Sequence, residues 1–146
     1  MPVALTRRSF LDTTVFIAAT FPKEKHHKEG RAILTSIEKG ALGKPVITDY
    51  ILDEVITFVR KRKSIAASIE TLDAILYSPR LKLVKVDNRI FEAGIQLFKT
   101  YERLSFTDAV SVATMRDLGM EIIYSFDSGF DGIPRITRLT AVHSST

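Results

Sequence analysis

The sequence of 146 residues contains no cysteine, which excludes disulfides and zinc-thiolate sites and is compatible with a reducing cytosol. It also lacks any apolar run near the roughly 18 residues that a membrane-spanning helix needs. The amino terminus has neither the continuous apolar stretch nor the small-residue cleavage site of a secretory signal. We therefore expect a soluble, cytoplasmic protein that does not insert into membranes.

The composition is that of a globular protein, with 45% hydrophobic and 26% charged residues. No internal repeat, low-complexity segment or linker divides the chain, so we predict a single domain covering residues 1–146. The net charge of +4 favours a polyanionic partner, because basic surface attracts phosphate backbones.

Short apolar segments alternate with longer amphipathic ones along the chain. The apolar segments are predicted strands at residues 8–11, 45–48, 81–86, 121–126 and 137–142. The segments between them carry apolar residues at helical spacing and are predicted helices at 13–19, 30–39, 49–62, 64–77, 88–101 and 105–118. This alternation is typical of βαβ units, so we predict an α/β fold with a parallel sheet and helices on both faces.

Carboxylates stand where predicted strands pass into helices or turns. Asp12, Asp49 and Asp127 all fall at such junctions, which right-handed crossovers place on one edge of a parallel sheet. Ligands bind at that edge in open α/β folds. Each acid also has a purely structural interpretation, because Asp12 can cap the helix that follows it and Asp127 can begin a turn.

Two further acids lie on predicted helices. Glu54 has Tyr50, Ile51 and Phe58 as helical neighbours, so we expect it on an apolar flank, where a buried carboxylate needs a cation or a basic side chain as its partner. Asp108 follows Ser105 by three residues, which is also the spacing of a capping box. Several acids gathered at one edge repel one another unless a cation lies among them, and Mg²⁺ and Mn²⁺ prefer such oxygen ligands.

Four segments of the chain carry the acids discussed above: Phe10-Leu-Asp-Thr-Thr-Val-Phe-Ile17, Ile47-Thr-Asp-Tyr-Ile-Leu-Asp-Glu-Val55, Leu104-Ser-Phe-Thr-Asp-Ala-Val-Ser-Val-Ala-Thr-Met115 and Tyr124-Ser-Phe-Asp-Ser-Gly-Phe-Asp131. In their order and spacing they resemble the PIN-domain ribonucleases, in particular the VapC-type toxins and their archaeal relatives, and the resemblance covers nearly the whole chain. The resemblance implies a three-layer α/β/α sandwich around a parallel sheet of four or five strands.

The resemblance also implies a set of site residues. The metal-binding and catalytic acids carry over to Asp12, Glu54, Asp108 and Asp127, with Thr14 and Thr107 as hydroxyls beside them. Many family members carry a further acid two residues after the fourth one, and here that position is Gly129. This departure leaves open whether one or two metal ions bind, with Asp131 as an additional candidate ligand.

The implied activity is Mg²⁺- or Mn²⁺-dependent endonucleolytic hydrolysis of RNA. Such a toxin would pair with a small antitoxin protein and form homodimers. Two alternatives remain open, namely a PIN nuclease of RNA processing without an antitoxin and a PIN-like module that binds RNA or protein without turnover. A phosphoacceptor receiver domain fits poorly, because it requires two adjacent acids after the first strand and this chain has Asp12-Thr13. The RNA target and the cleavage sequence are not predicted.

Two other features have competing interpretations. The basic run Arg60, Lys61, Arg62 and Lys63 ends a predicted helix, so it either complements the helix dipole or contacts the RNA backbone. The three histidines, His26, His27 and His143, are not needed as bases in a metal-assisted reaction. Phe and Tyr residues lie mostly at helical core spacing, so no base-stacking surface is predicted.

Overall fold

The structure, a computed structural model, describes residues 8–142, so His143 and the predicted tail at 144–146 lie outside the described residues. This part of the chain forms five strands and six α-helices; two helices follow each of the first three strands, and no α-helix lies between the last two strands. The strands are β1 (Ser9–Leu11), β2 (Val46–Thr48), β3 (Lys82–Val84), β4 (Ile122–Tyr124) and β5 (Thr137–Leu139). The helices are α1 (Thr13–Thr20), α2 (His27–Glu38), α3 (Asp49–Arg62), α4 (Ile65–Leu76), α5 (Asn88–Thr100) and α6 (Phe106–Asp117).

All five strands are parallel and form one sheet in the order β3-β2-β1-β4-β5. Phe10 in the central strand lies opposite Val46 on one side and Ile123 on the other. The six helices flank this sheet, which confirms the predicted α/β/α architecture. Because the chain leaves β1 toward β2 and later returns on its other side as β4, the strand order reverses between these strands, which is where open sheets form a ligand crevice.

The three central strands are buried almost completely, as expected for a parallel sheet covered by helices on both faces. α1 packs against α2 and α3, α3 packs against α4, and α5 packs against α6. Gly30 allows α2 to approach α1 closely, because a Cβ at this position would lie 2.9 Å from the amide nitrogen of Ala19. No helix among residues 8–142 is long and apolar enough to cross a bilayer.

Side-chain caps fix where most helices begin. Five residues each accept a hydrogen bond from a backbone amide in the first turn of the following helix: Asp12, Thr48, Ser64, Asp87 and Ser105. These local bonds explain why the predicted helix starts agree with the structure within a residue or two, α2 excepted, which begins at His27 without a side-chain cap.

The last three strands are shorter than predicted. β4 ends at Tyr124 rather than Phe126, because the amide of Phe126 donates a hydrogen bond to the hydroxyl of Thr14 at 2.9 Å instead of joining the ladder. Strand ends depend on this kind of competition for backbone donors, which apolar patterning does not reveal.

Candidate functional site

An open cleft of about 430 Å³ lies where α1 begins and where the chain leaves β4. The structure brings four predicted acids to the walls of this cleft: Asp12, Glu54, Asp108 and Asp127. They come from four different elements, so the sheet topology and not their spacing in the sequence gathers them.

Asp12 is the most buried of these acids, with 2% of its surface exposed. Its Oδ2 accepts hydrogen bonds from the hydroxyls of Thr14 and Ser125, both at 2.7 Å, and from the amide of Thr14 at 3.4 Å. Burial raises the pKa of Asp12, and these hydrogen bonds oppose that shift. Asp12 therefore caps α1 and also lines the cleft, so its structural and functional interpretations coexist.

Two hydroxyls connect Asp12 to the segment that follows β4. Thr14 Oγ1 accepts from the amide of Phe126, and Ser125 Oγ accepts from the amide of Asp127 at 3.0 Å. Thr14 lies beside the first acid, where the resemblance implies it. Ser125 was not predicted, although a serine between an apolar strand and a candidate acid is a signal that points to it.

Asp108 lies in the first turn of α6 and forms the capping box that its spacing from Ser105 suggests. Its Oδ2 accepts from the amide of Ser105 at 3.3 Å, and its own amide donates to Ser105 Oγ at 3.1 Å. Burial, followed by the charges of Asp12 and Asp127, raises the pKa of Asp108 to about 7. Carboxylates that repel one another in this way form a site for a positive charge.

Asp127 caps a single 3₁₀ turn and accepts a hydrogen bond on Oδ1 from the amide of Gly129 at 2.8 Å. A Cβ at Gly129 would lie 2.9 Å from the carbonyl oxygen of Arg103 and 3.1 Å from that same Asp127 oxygen. The backbone therefore leaves no room for the further acid that many members of the resembled family carry at this position.

Glu54 reaches the cleft, but the expectation that it lies buried on an apolar flank is wrong. The buried face of α3 consists of Ile51, Val55 and Val59, and Glu54 is exposed. Its Oε1 accepts a hydrogen bond from Thr13 Oγ1 at 2.7 Å, a partner that the sequence did not indicate. The adjacent Asp53 is exposed and also lines the cleft.

Three other predicted residues lie outside the lining of the cleft. Arg138 binds Asp131 through two hydrogen bonds of 2.9 and 3.0 Å and lowers the pKa of this carboxyl. Asp49 accepts from the amide of Val86 at 3.0 Å and so joins the start of α3 to the chain after β3. Within residues 8–142 the Thr107 side chain makes no hydrogen bond.

The arginines of the basic run have partners within the protein. Arg60 Nε donates to Ser68 Oγ at 3.1 Å, which joins α3 to α4. The guanidinium of Arg62 lies 5.1 Å from the ring centre of Phe58, a distance typical of a cation–π contact. Lys61 is exposed, so it remains free to interact with a polyanion.

The donors in the cleft are oxygen atoms, which suits a hard divalent cation. Among residues 8–142 no group of three or more His, Cys, Asp or Glu side chains is arranged to hold one metal ion. Mg²⁺ commonly binds through one or two carboxylates and keeps several waters, so the donors present fit an ion whose coordination is completed by water. The raised pKa of Asp108 beside two other acids agrees with a place for such a charge.

Comparison with known proteins gives matches over most of the chain. A family model described as PIN domain matches residues 9–136. The VapC ribonuclease of Archaeoglobus fulgidus is 30% identical over 133 residues, which cover 89% of this chain and 83% of that protein.

Solved structures with the same fold include toxins. VapC20 of Mycobacterium tuberculosis, described as a toxin that cleaves the sarcin-ricin loop, superimposes with a TM-score of 0.73 at 22% identity, covering 82% of this chain and 90% of that one. VapBC2 from Rickettsia felis, bound to a DNA fragment from its promoter, gives a TM-score of 0.66 at 16% identity, covering 90% and 96%. At these identities the matches bear on the fold, which agrees with the predicted one.

Proposed function

The chain belongs to the PIN domain family, and we propose that it is a metal-dependent endoribonuclease that hydrolyses RNA phosphodiester bonds as the toxin of a toxin–antitoxin pair. The observation that carries the proposal is the convergence of Asp12, Glu54, Asp108 and Asp127 on one cleft of a protein with net charge +4. The relative from Archaeoglobus fulgidus, named a VapC ribonuclease, supports the same activity.

In this proposal Asp12 and Asp108 hold Mg²⁺ or Mn²⁺, and Asp127 contributes through water. When bound, the ion supplies an activated water and neutralises charge on the phosphate. The hydroxyls of Thr14 and Ser125 fix the orientation of Asp12, since both donate to its Oδ2. No hydrogen bond from residues 8–142 reaches Asp12 Oδ1, so this oxygen is free for a ligand.

Glu54 has a different role in this proposal. It is exposed on the α3 side of the cleft, and Thr13 donates to only one of its oxygens. The other oxygen can orient the attacking water and accept its proton. The lack of room for an acid at Gly129 and the pairing of Asp131 with Arg138 favour one tightly held ion over two.

A small antitoxin is the partner we propose, since structural neighbours of this chain include toxin–antitoxin complexes from Klebsiella pneumoniae and Rickettsia felis. We also propose that the chain forms homodimers. Light scattering of the purified chain, alone and with the product of a neighbouring small gene, measures both associations.

The decisive experiment is cleavage of a mixed pool of structured RNAs with Mg²⁺, with Mn²⁺ and with EDTA. We expect metal-dependent cutting that falls by roughly 100-fold or more in Asp12→Asn and Asp108→Asn, because each change removes a proposed metal ligand. Asp73→Asn is the matched control, since Asp73 is exposed on α4 and does not line the cleft. Thermal unfolding of each variant verifies that it is folded.

Other outcomes would contradict the proposal in different ways. Cutting that persists equally in Asp12→Asn and Asp108→Asn would identify a contaminating nuclease. Absence of cutting by the wild type, combined with RNA binding that survives EDTA, would favour a binding module without turnover.

A further inference from the structure

A second pocket, of about 330 Å³, opens beside the carboxylate cleft. The two share three wall residues, Thr13, Thr14 and Phe58, so they form adjoining parts of one depression. Its volume is at the small end of the range of about 300 to 1,000 Å³ typical of ligand pockets. It therefore suits one planar ring system rather than several nucleotides.

Aromatic and apolar side chains form most of this pocket. The rings of His26 and Phe126 stack with their centres 4.6 Å apart and an angle of 9° between their planes. Ile17 and Ala18 of α1 line the same pocket. The amide of Phe126 donates to the Thr14 hydroxyl that also binds Asp12, so the aromatic pair is held in a defined position relative to the carboxylates.

The outer wall of the pocket is anchored by polar contacts. His27 Nδ1 lies 2.8 Å from the carbonyl oxygen of Ala18, which ties the start of α2 to α1. His26 Nδ1 lies 3.2 Å from a carboxylate oxygen of Glu29. A pocket that is already formed costs little ordering entropy when a ligand enters.

We propose that this pocket binds one nucleobase of the RNA strand next to the phosphate held at the carboxylates, and so determines a base preference. The inference rests on the proposed nuclease function. RNA-binding proteins hold unpaired bases by stacking them on aromatic and histidine rings, and here such rings adjoin the candidate site. Glu24 and Lys25 at the same pocket supply groups that can recognise the polar edge of a base.

The test compares cleavage profiles on a random-sequence, single-stranded RNA pool for the wild type, His26→Ala and Phe126→Leu. The wild type is expected to prefer particular bases at one position next to the cut, and both variants are expected to lose that preference. Tyr77→Leu is the matched control, because Tyr77 is 81% exposed at the end of α4 and away from both pockets. His26→Ala decides the test if Phe126→Leu is found by thermal unfolding to be destabilised.

A substrate change makes the comparison sharper. On the preferred oligonucleotide we expect kcat/KM to fall about tenfold in His26→Ala, the size expected for one lost stacking contact. On the same oligonucleotide with an abasic site at the recognised position, His26→Ala and the wild type should cut equally well. Equal losses on both substrates, or an unchanged cleavage profile, would overturn the proposal.

Failure of the nuclease function is recognised separately. If the wild type cuts no RNA, oligonucleotides carrying 2-aminopurine at successive positions report base stacking by fluorescence quenching on binding. Quenching at a single position in the wild type, and its loss in His26→Ala, would support the base-binding pocket even though the nuclease function had failed. Absence of position-specific quenching would reject the base pocket. If His26→Ala then bound a protein partner more weakly than the wild type does, the pocket would be assigned to that partner.

Discussion

At the scale of single residues, the candidate site depends on Gly129 as much as on the acids. Its amide donates to Asp127 Oδ1, and the carbonyl oxygen of Arg103 lies where a side chain would begin. The φ angle of Gly129 is not in the left-handed region, so close approach and not backbone conformation requires glycine here.

We expect Gly129→Ala to destabilise the protein by about 1–3 kcal/mol, because the added methyl group must displace either a backbone carbonyl or Asp127. Cleavage activity should fall as well, since Asp127 Oδ1 cannot keep its position. Urea unfolding and kcat/KM on a fixed RNA measure the two effects. Ser128→Ala is the control, because Ser128 is exposed and its substitution removes a surface hydrogen bond from the Arg103 side chain without adding an atom near the Arg103 carbonyl. Wild-type stability and activity in Gly129→Ala would contradict the steric argument.

The junction argument predicts the sheet edge at which Asp12 and Asp127 lie, but Asp49, at the same kind of junction, binds the amide of Val86 and does not line the cleft. The complete set of four acids came from the resemblance to PIN-domain ribonucleases, because Glu54 and Asp108 lie on helices and not at such junctions. The sequence could not indicate that Asp131 pairs with Arg138, because this ion pair depends on how the turn after Asp127 folds back onto β5. The exposure of Glu54 was also missed, because helical neighbours do not reveal which flank of α3 borders an open cleft.

At the scale of elements, the site is the junction of β1 with α1 joined to the end of β4. Ser125 makes this connection, because its hydroxyl donates to Asp12 Oδ2 at 2.7 Å and accepts from the amide of Asp127 at 3.0 Å. Helix starts such as those at Thr48 and Ser105 were predictable because their capping bonds are local. The early end of β4 was not predictable, because it follows from the hydrogen bond between the amide of Phe126 and Thr14 of α1, which are distant in the sequence.

Ser125→Ala is expected to lower kcat/KM by roughly tenfold or more, because it removes a donor to Asp12 and leaves the amide of Asp127 without its partner. The pH profile of activity should also move to higher pH, since the Ser125 hydrogen bond lowers the pKa of Asp12.

Ser111→Ala is the matched control for this prediction. Ser111 is equally buried, on α6, and its hydroxyl has no hydrogen-bond partner among residues 8–142, so its removal should change neither activity nor the pH profile. Equal effects of Ser111→Ala and Ser125→Ala would mean that buried volume, and not the hydrogen-bond connection to Asp12, is responsible.

At the scale of the whole molecule, the protein carries a net charge of +4 but gathers several negatively charged carboxylates at one edge of its sheet. The long-range field of the protein attracts a polyanion, while the cleft itself repels phosphate until a cation enters. Repulsion among these carboxylates therefore lowers the folding stability of the protein when no cation is bound, as is common for functional sites.

The stability of the protein should depend on pH through Asp108, whose pKa rises from 3.8 to about 7 on folding. Between these values the unfolded chain has released the proton that the folded protein retains, so the free energy of unfolding falls as pH rises and the loss is complete above pH 7. Relative to Asp108→Asn, the wild type should lose on the order of 2–4 kcal/mol of unfolding free energy between pH 4 and pH 8, as measured by urea unfolding in EDTA.

Mg²⁺ should restore stability to the wild type more at pH 8 than at pH 5, and should do so less in Asp108→Asn, because the ion binds the ionised carboxylates. Asp73→Asn, on the exposed surface of α4, should follow the wild type throughout. A difference between wild type and Asp108→Asn that stays constant with pH would mean that the repulsion among the cleft acids is already relieved without metal.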